Sequence, residues 1–87
     1  MKLIEKKVQP PYFQKIVDGV KKYELRLADF DVDEGDVLLL KEWDPQTGDF
    51  TGREIKKTVT YLLKTKDITF WNQEEIDKYG YRIISFE

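Results

Sequence analysis

The chain has 87 residues, a formal net charge of −2, five Phe, five Tyr and two Trp, and neither cysteine nor histidine. That length fits a single domain with a thin core, and the lack of cysteine excludes a disulfide framework or a thiolate zinc site. The lack of histidine removes the commonest metal ligand and the usual general base near neutral pH, so any catalysis must rest on Lys, Glu, Asp, Tyr, Thr or Ser.

Lys2–Val8 reads as a first strand, broken by Pro10-Pro11. Pro11 suits the first turn of a helix, where its missing N–H costs nothing. Phe13, Ile16, Val17 and Val20 fall at i, i+3, i+4 and i+7, one helical stripe, and Gly19 is the natural stop. Lys22–Leu27 reads as a second strand. Alternation puts Tyr23, Leu25 and Leu27 on one face, expected to be the core face, and Glu24 and Arg26 on the other. Lys21 stands at the turn into it. The plain reading of Lys21, Glu24 and Arg26 is a solvated ion pair with a neighbour, worth little. The functional reading is two cations flanking a carboxylate on a rigid element.

Ala28–Asp36 is an acidic loop, with five acids and no base between Asp29 and Asp36. A calcium loop beginning at Asp29 would need glycine at position 34 and glutamate at position 40. The chain has Glu34 and Leu40 there, so a solvated loop and no metal site are expected. Val37–Trp43 reads as a third strand whose apolar run implies cover on both faces. Asp44-Pro45-Gln46-Thr47-Gly48 is a hairpin turn. Strands follow around Asp49–Thr51 and from Arg53 to about Lys64. Gly48 and Gly52 lack the Gly-Lys-Ser/Thr lead into a helix that a phosphate loop requires, and read as two turns or a bulge. Arg53 to Lys66 carries five bases against one acid, Glu54, which permits a local basic face. Asn72 with Glu75 three residues on is a capping-box pattern, predicting a short helix near Gln73–Lys78 that ends at Gly80. Tyr81–Phe86 reads as a closing strand. The class is α+β, mostly β: a partly open small barrel with one or two short helices.

Trp43 and Trp71 are the candidate stacking residues, since rings beside basic side chains grip single strands; core packing is the ordinary alternative. MKLIEKK lacks the apolar run of a signal peptide. No segment approaches the ~20 apolar residues that span a bilayer. A cytoplasmic monomer with no membrane contact and no cofactor is expected.

Gly19-x-Lys21-x-x-Glu24-x-Arg26 matches the GxKxxExR signature of the ASCH domain. Together with Pro11-Tyr12-Phe13 and the stretch WDPQTGDFTGRE from Trp43 to Glu54, it makes the chain resemble a compact ASCH-like family of unknown function found in bacteria, archaea and phages. The likeness runs from about residue 3 to Leu63 and includes the closing strand; Lys64–Lys78 departs from it. It implies a PUA-like β-barrel with a helix beside a cleft lined by Lys21, Glu24 and Arg26, and RNA or a nucleotide as partner. On that reading Lys21 and Arg26 meet phosphate or base acceptors, and Glu24 accepts from a base or orients Arg26. Arg53, Trp43, Lys56 and Lys57 extend the binding surface. The alternative is a small amidohydrolase acting on a modified nucleoside such as acetylcytidine, with Lys21 as base and Glu24 as its partner. Some ASCH proteins with that activity use a threonine where this chain has Glu24. A third reading is a protein partner met through the Trp71 region.

Overall fold

Pro10 and Pro11 decide the first step of the architecture, because neither can continue a ladder and both suit a helix start. The computed structural model describes residues 1–86. Strand β1 (Leu3–Val8) leads into helix α1 (Pro10–Val17), then β2 (Val37–Asp44), β3 (Asp49–Thr58), a 3-10 turn at Thr65–Asp67 and helix α2 (Gln73–Tyr79). The strands form one sheet in the order β1-β2-β3. β1 and β2 are parallel, from Leu3 opposite Val37 to Val8 opposite Glu42. Parallel neighbours need a crossover, which α1 and residues 18–36 provide. β2 and β3 are antiparallel and joined by the expected hairpin, where the Gly48 N–H donates to the Asp44 carbonyl at 2.8 Å.

α1 lies on one face of the sheet. Phe13 and Ile16 bury against Val8 and Leu40, and Leu38 and Ile55 pack on this cluster. Only half of the expected apolar stripe is used, since Val17 and Val20 are exposed. Gly19 takes φ 75° and reverses the chain, so that the Val20 and Lys21 N–H groups both donate to the Lys15 carbonyl. In α2, Asn72 caps as its spacing predicts, accepting from the Glu75 N–H at 2.9 Å.

The sheet is open and is not closed into a barrel. Among the described residues, neither Lys22–Leu27 nor Tyr81–Phe86 joins a sheet. The expected core face of the former is reversed: Leu25 and Leu27 are 65% and 80% exposed, and Tyr23 is exposed as well. The side chains of Lys21 and Glu24 are the ones turned inward. The segment is held by its polar groups, because Arg26 donates to the Lys7 carbonyl of β1. The strands expected on either side of Gly52 are one bulged strand, with the register broken between Lys41 and Trp43 and Gly52 at φ 94°. It ends at Thr58 because its partner ends there. The Gly35 N–H donates to the Val59 carbonyl and the Val59 N–H to the Asp36 carbonyl, both at 2.8 Å, where the chain before β2 turns away. Among the described residues no helix is long and apolar enough to cross a membrane.

Candidate functional site

The reversal at Gly19 delivers Lys21 beside the end of β1. Its Nζ donates to Glu24 Oε1 at 2.7 Å and to the Tyr23 carbonyl at 2.7 Å. Arg26 Nε donates to Glu24 Oε2 at 2.9 Å. One carboxylate is therefore bridged by two cations, one to each oxygen. The Lys21 and Glu24 side chains are 11% and 14% exposed and that of Arg26 is 32% exposed, so the guanidinium keeps an accessible edge. Ion pairs this sheltered are screened less than those on an open face.

These three residues line a cleft of about 820 Å³ at the end of β1. Lys15 and Arg82 bring further positive charge, and Tyr12 a ring; Lys7 borders the cleft with its ammonium over the Trp43 and Phe50 rings, and Val20, Leu25 and Ile83 are apolar lining. Among the described residues, five cationic residues and one acidic residue, Glu24, line the cleft. Tyr12 and Lys15 are three residues apart on α1 and share a stripe. Neither stands out in the sequence as a site residue, beside the apolar stripe of the same helix; their i, i+3 spacing is the one local signal. Arg82 carried no signal, since its place depends on how residues after α2 return.

A second hollow, of about 680 Å³, lies toward the acidic loop and includes Lys6, Lys57, Asp31 and Asp33. Lys21, Glu24 and Arg26 border both hollows. The acidic loop is not wholly solvated. Asp36 is buried and accepts from the backbone N–H groups of Lys2 (2.8 Å) and Asp33 (2.9 Å). The Lys2 hydrogen bond first, and that from Asp33 next, hold its carboxyl below the usual range, with burial opposing.

Arg53 and Trp43 do not line the cleft. Arg53 faces α1: Nη2 donates to Gln14 Oε1 at 3.1 Å, its guanidinium lies 5.0 Å from the Phe13 ring centroid, and Nη1 is 3.7 Å from Glu42. Glu42, buried and overlooked in the sequence, also accepts from Thr51 Oγ1 at 2.6 Å. This set ties β2, β3 and α1 together. Trp43 lies near the hairpin, with the Lys7 ammonium 4.8 Å from its ring centroid. Trp71 is 52% exposed and meets Phe70 and Tyr81 edge to face. Among the described residues no group of three or more Asp or Glu is placed to hold a metal ion.

The model of a family described as a domain of unknown function (DUF3850) matches residues 4–84, a span that includes every residue lining the cleft but Ser85. The chain is also similar to a protein of Escherichia phage P2 described as "Uncharacterized 12.9 kDa protein in GpA 3'region", with 32% identity over 75 residues. That alignment takes in 86% of this chain and 64% of the phage protein, so the chain spans less than two thirds of its relative's length. No solved structure matches the chain.

Proposed function

The chain belongs to this family of unknown function, and from the cleft it carries we propose that it is a binding module for RNA or a nucleotide. The observation that carries the reading is the charge of the cleft: among the described lining residues Lys15, Lys21, Arg26 and Arg82 stand against Glu24, in a protein that is acidic overall. Such a pocket suits phosphate. The likeness of Gly19-x-Lys21-x-x-Glu24-x-Arg26 to the ASCH signature supports the same reading, and the PUA-like assignment rests on that likeness and not on the three-stranded sheet. Glu24 fixes Lys21 and Arg26 relative to each other. Arg26 then offers its free edge to phosphate or to base acceptors, and Lys15 and Arg82 offer point charges nearby. We place this activity in a cytoplasmic monomer.

The amidohydrolase alternative would use Lys21 as base. Two of the protons on the Lys21 ammonium are already donated, to Glu24 and to the Tyr23 carbonyl. That arrangement suits a fixed cation better than a base.

Amide-shift titration with uridine monophosphate, acetylcytidine and short single-stranded RNA tests the reading. Shifts should cluster at Lys15, Lys21, Glu24 and Arg26. Lys21→Ala should weaken binding roughly tenfold, the scale of one charge-assisted hydrogen bond. Affinity should fall steeply with salt. Absence of shifts with millimolar nucleotide and with RNA would sink the proposal. Acetate released from acetylcytidine, and lost in Lys21→Ala, would replace it with the hydrolase.

A further inference from the structure

The hairpin places Trp43 and Phe50 opposite each other as register partners. Lys7 Nζ lies 4.8 Å from the Trp43 ring centroid and 5.6 Å from that of Phe50, and Lys41 Nζ lies 5.3 Å from Phe50. Lys7 and Lys41 are themselves partners across β1 and β2. Alternation along β2 puts Lys41 and Trp43 on the face opposite Leu40, which is the residue that packs under α1. Two rings and two ammonium groups therefore converge on the sheet face away from the core. Phe50 remains 45% exposed and Trp43 is half-buried, so both rings keep some accessible surface. Lys7 also lines the cleft, and its carbonyl receives Arg26. Lys7 is thus common to the cleft lining and to the ring pair.

We propose that Trp43, Phe50, Lys7 and Lys41 form a second subsite, at which a nucleotide adjoining the one in the cleft stacks its base. This rests on the binding function proposed above and narrows it: the ligand is single-stranded RNA of two or more nucleotides, not a free nucleotide. Stacking platforms flanked by cations hold single strands in this way, whatever the base. The choice of ribose over deoxyribose follows from the RNA reading above. Glu5, 3.8 Å from Lys41 Nζ, is an exposed acceptor on a face otherwise suited to phosphate, and a 2′-hydroxyl gives it a donor.

Trp71→Phe leaves Trp43 as the single tryptophan, and its fluorescence reports the platform directly. An oligouridylate of about eight nucleotides, within the range one small domain holds, should quench it and bind at least tenfold more tightly than uridine monophosphate. Phe50→Leu should weaken the oligomer roughly tenfold and leave the monophosphate's amide shifts at Lys21 and Glu24 unchanged. Phe50→Tyr, which keeps the ring, should bind as the parent does. If the oligomer gains nothing over the monophosphate, or if Phe50→Leu is neutral, the platform is wrong while the cleft still binds. Equal affinity for the deoxy oligomer overturns the choice of RNA. If neither the oligomer nor the monophosphate binds, the underlying function falls and the platform with it.

Discussion

Asp36 ties together the start of the chain, its own turn and the residues after β3. It accepts from Lys2 at the start of β1 and from Asp33 in the preceding turn, while its own carbonyl receives the Val59 N–H after β3. Hydrogen bonds to the charged form lower its pKa in the folded state, whereas the unfolded chain keeps the ordinary value. The unfolded state therefore takes up the proton first as pH falls. Asp36's contribution is whole above the ordinary carboxylate range, shrinks below about pH 4, and is lost once pH passes under the folded value. Asp36→Asn should cost stability at neutral pH, and its urea midpoint should approach that of the parent in acid. A gap between the two proteins that stays constant from neutral to acid pH would refute this role. In the sequence Asp36 is one of five acids in a loop. Nothing local separates it from Asp29 or Asp31, because the donors that distinguish it come from elsewhere. Glu42 and Arg53 teach the same lesson: an arginine chosen as a ligand contact is spent on Glu42, Gln14 and the Phe13 ring.

At the scale of elements, those governed by local rules agree with the sequence. Two prolines start α1, Asn72 caps α2, and Asp44 to Gly48 turns the hairpin. α1 has just eight residues and no side-chain N-cap bond, so packing must hold it. Phe13, 1% exposed, is the largest part of that packing. Phe13→Ala should cost about 3–5 kcal/mol, a large share of the ~5–15 kcal/mol that stabilises a typical domain. Urea unfolding measures it, and a loss under ~1 kcal/mol would mean that α1 docks by other contacts. Lys22–Leu27 has the alternation of a strand yet joins no sheet among the described residues. Alternation states which residues share a face but not which face is covered. Here Glu24, bridged by Lys21 and Arg26, is turned inward and takes the apolar side chains outward with the opposite phase.

The whole molecule is more open than its length requires. Its accessible surface is 7381 Å², against about 5,400 Å² for a folded chain of this mass. Its radius of gyration is 14.9 Å, against about 12 Å for a compact domain of this length. The surplus lies largely in residues 59–86, where Tyr61, Leu63, Phe70, Tyr79 and Ile84 are exposed. Unfolding should consequently expose little new surface. The urea m-value should fall below about 1 kcal/mol/M, the low end for small domains. Amide protection should concentrate in β1, β2, β3 and α1. A larger m-value, with protection reaching residues 81–86, would show that the closing segment is buried after all.

By itself the sequence determined the α+β class, both helices, the hairpin and the grouping of Lys21, Glu24 and Arg26. Each depends on residues within a few positions of one another, where proline geometry, capping, turn chemistry and alternation act directly. Tertiary structure decided that the sheet stays open, that β1 runs parallel to β2, and that Arg53 leaves the site while Lys7, Lys15 and Arg82 enter it. It also decided that Asp36 and Glu42 are buried. Those outcomes depend on which distant backbone groups meet. Strand partners and buried acceptors are chosen by the energy of the assembled pairings, which no short window of sequence contains.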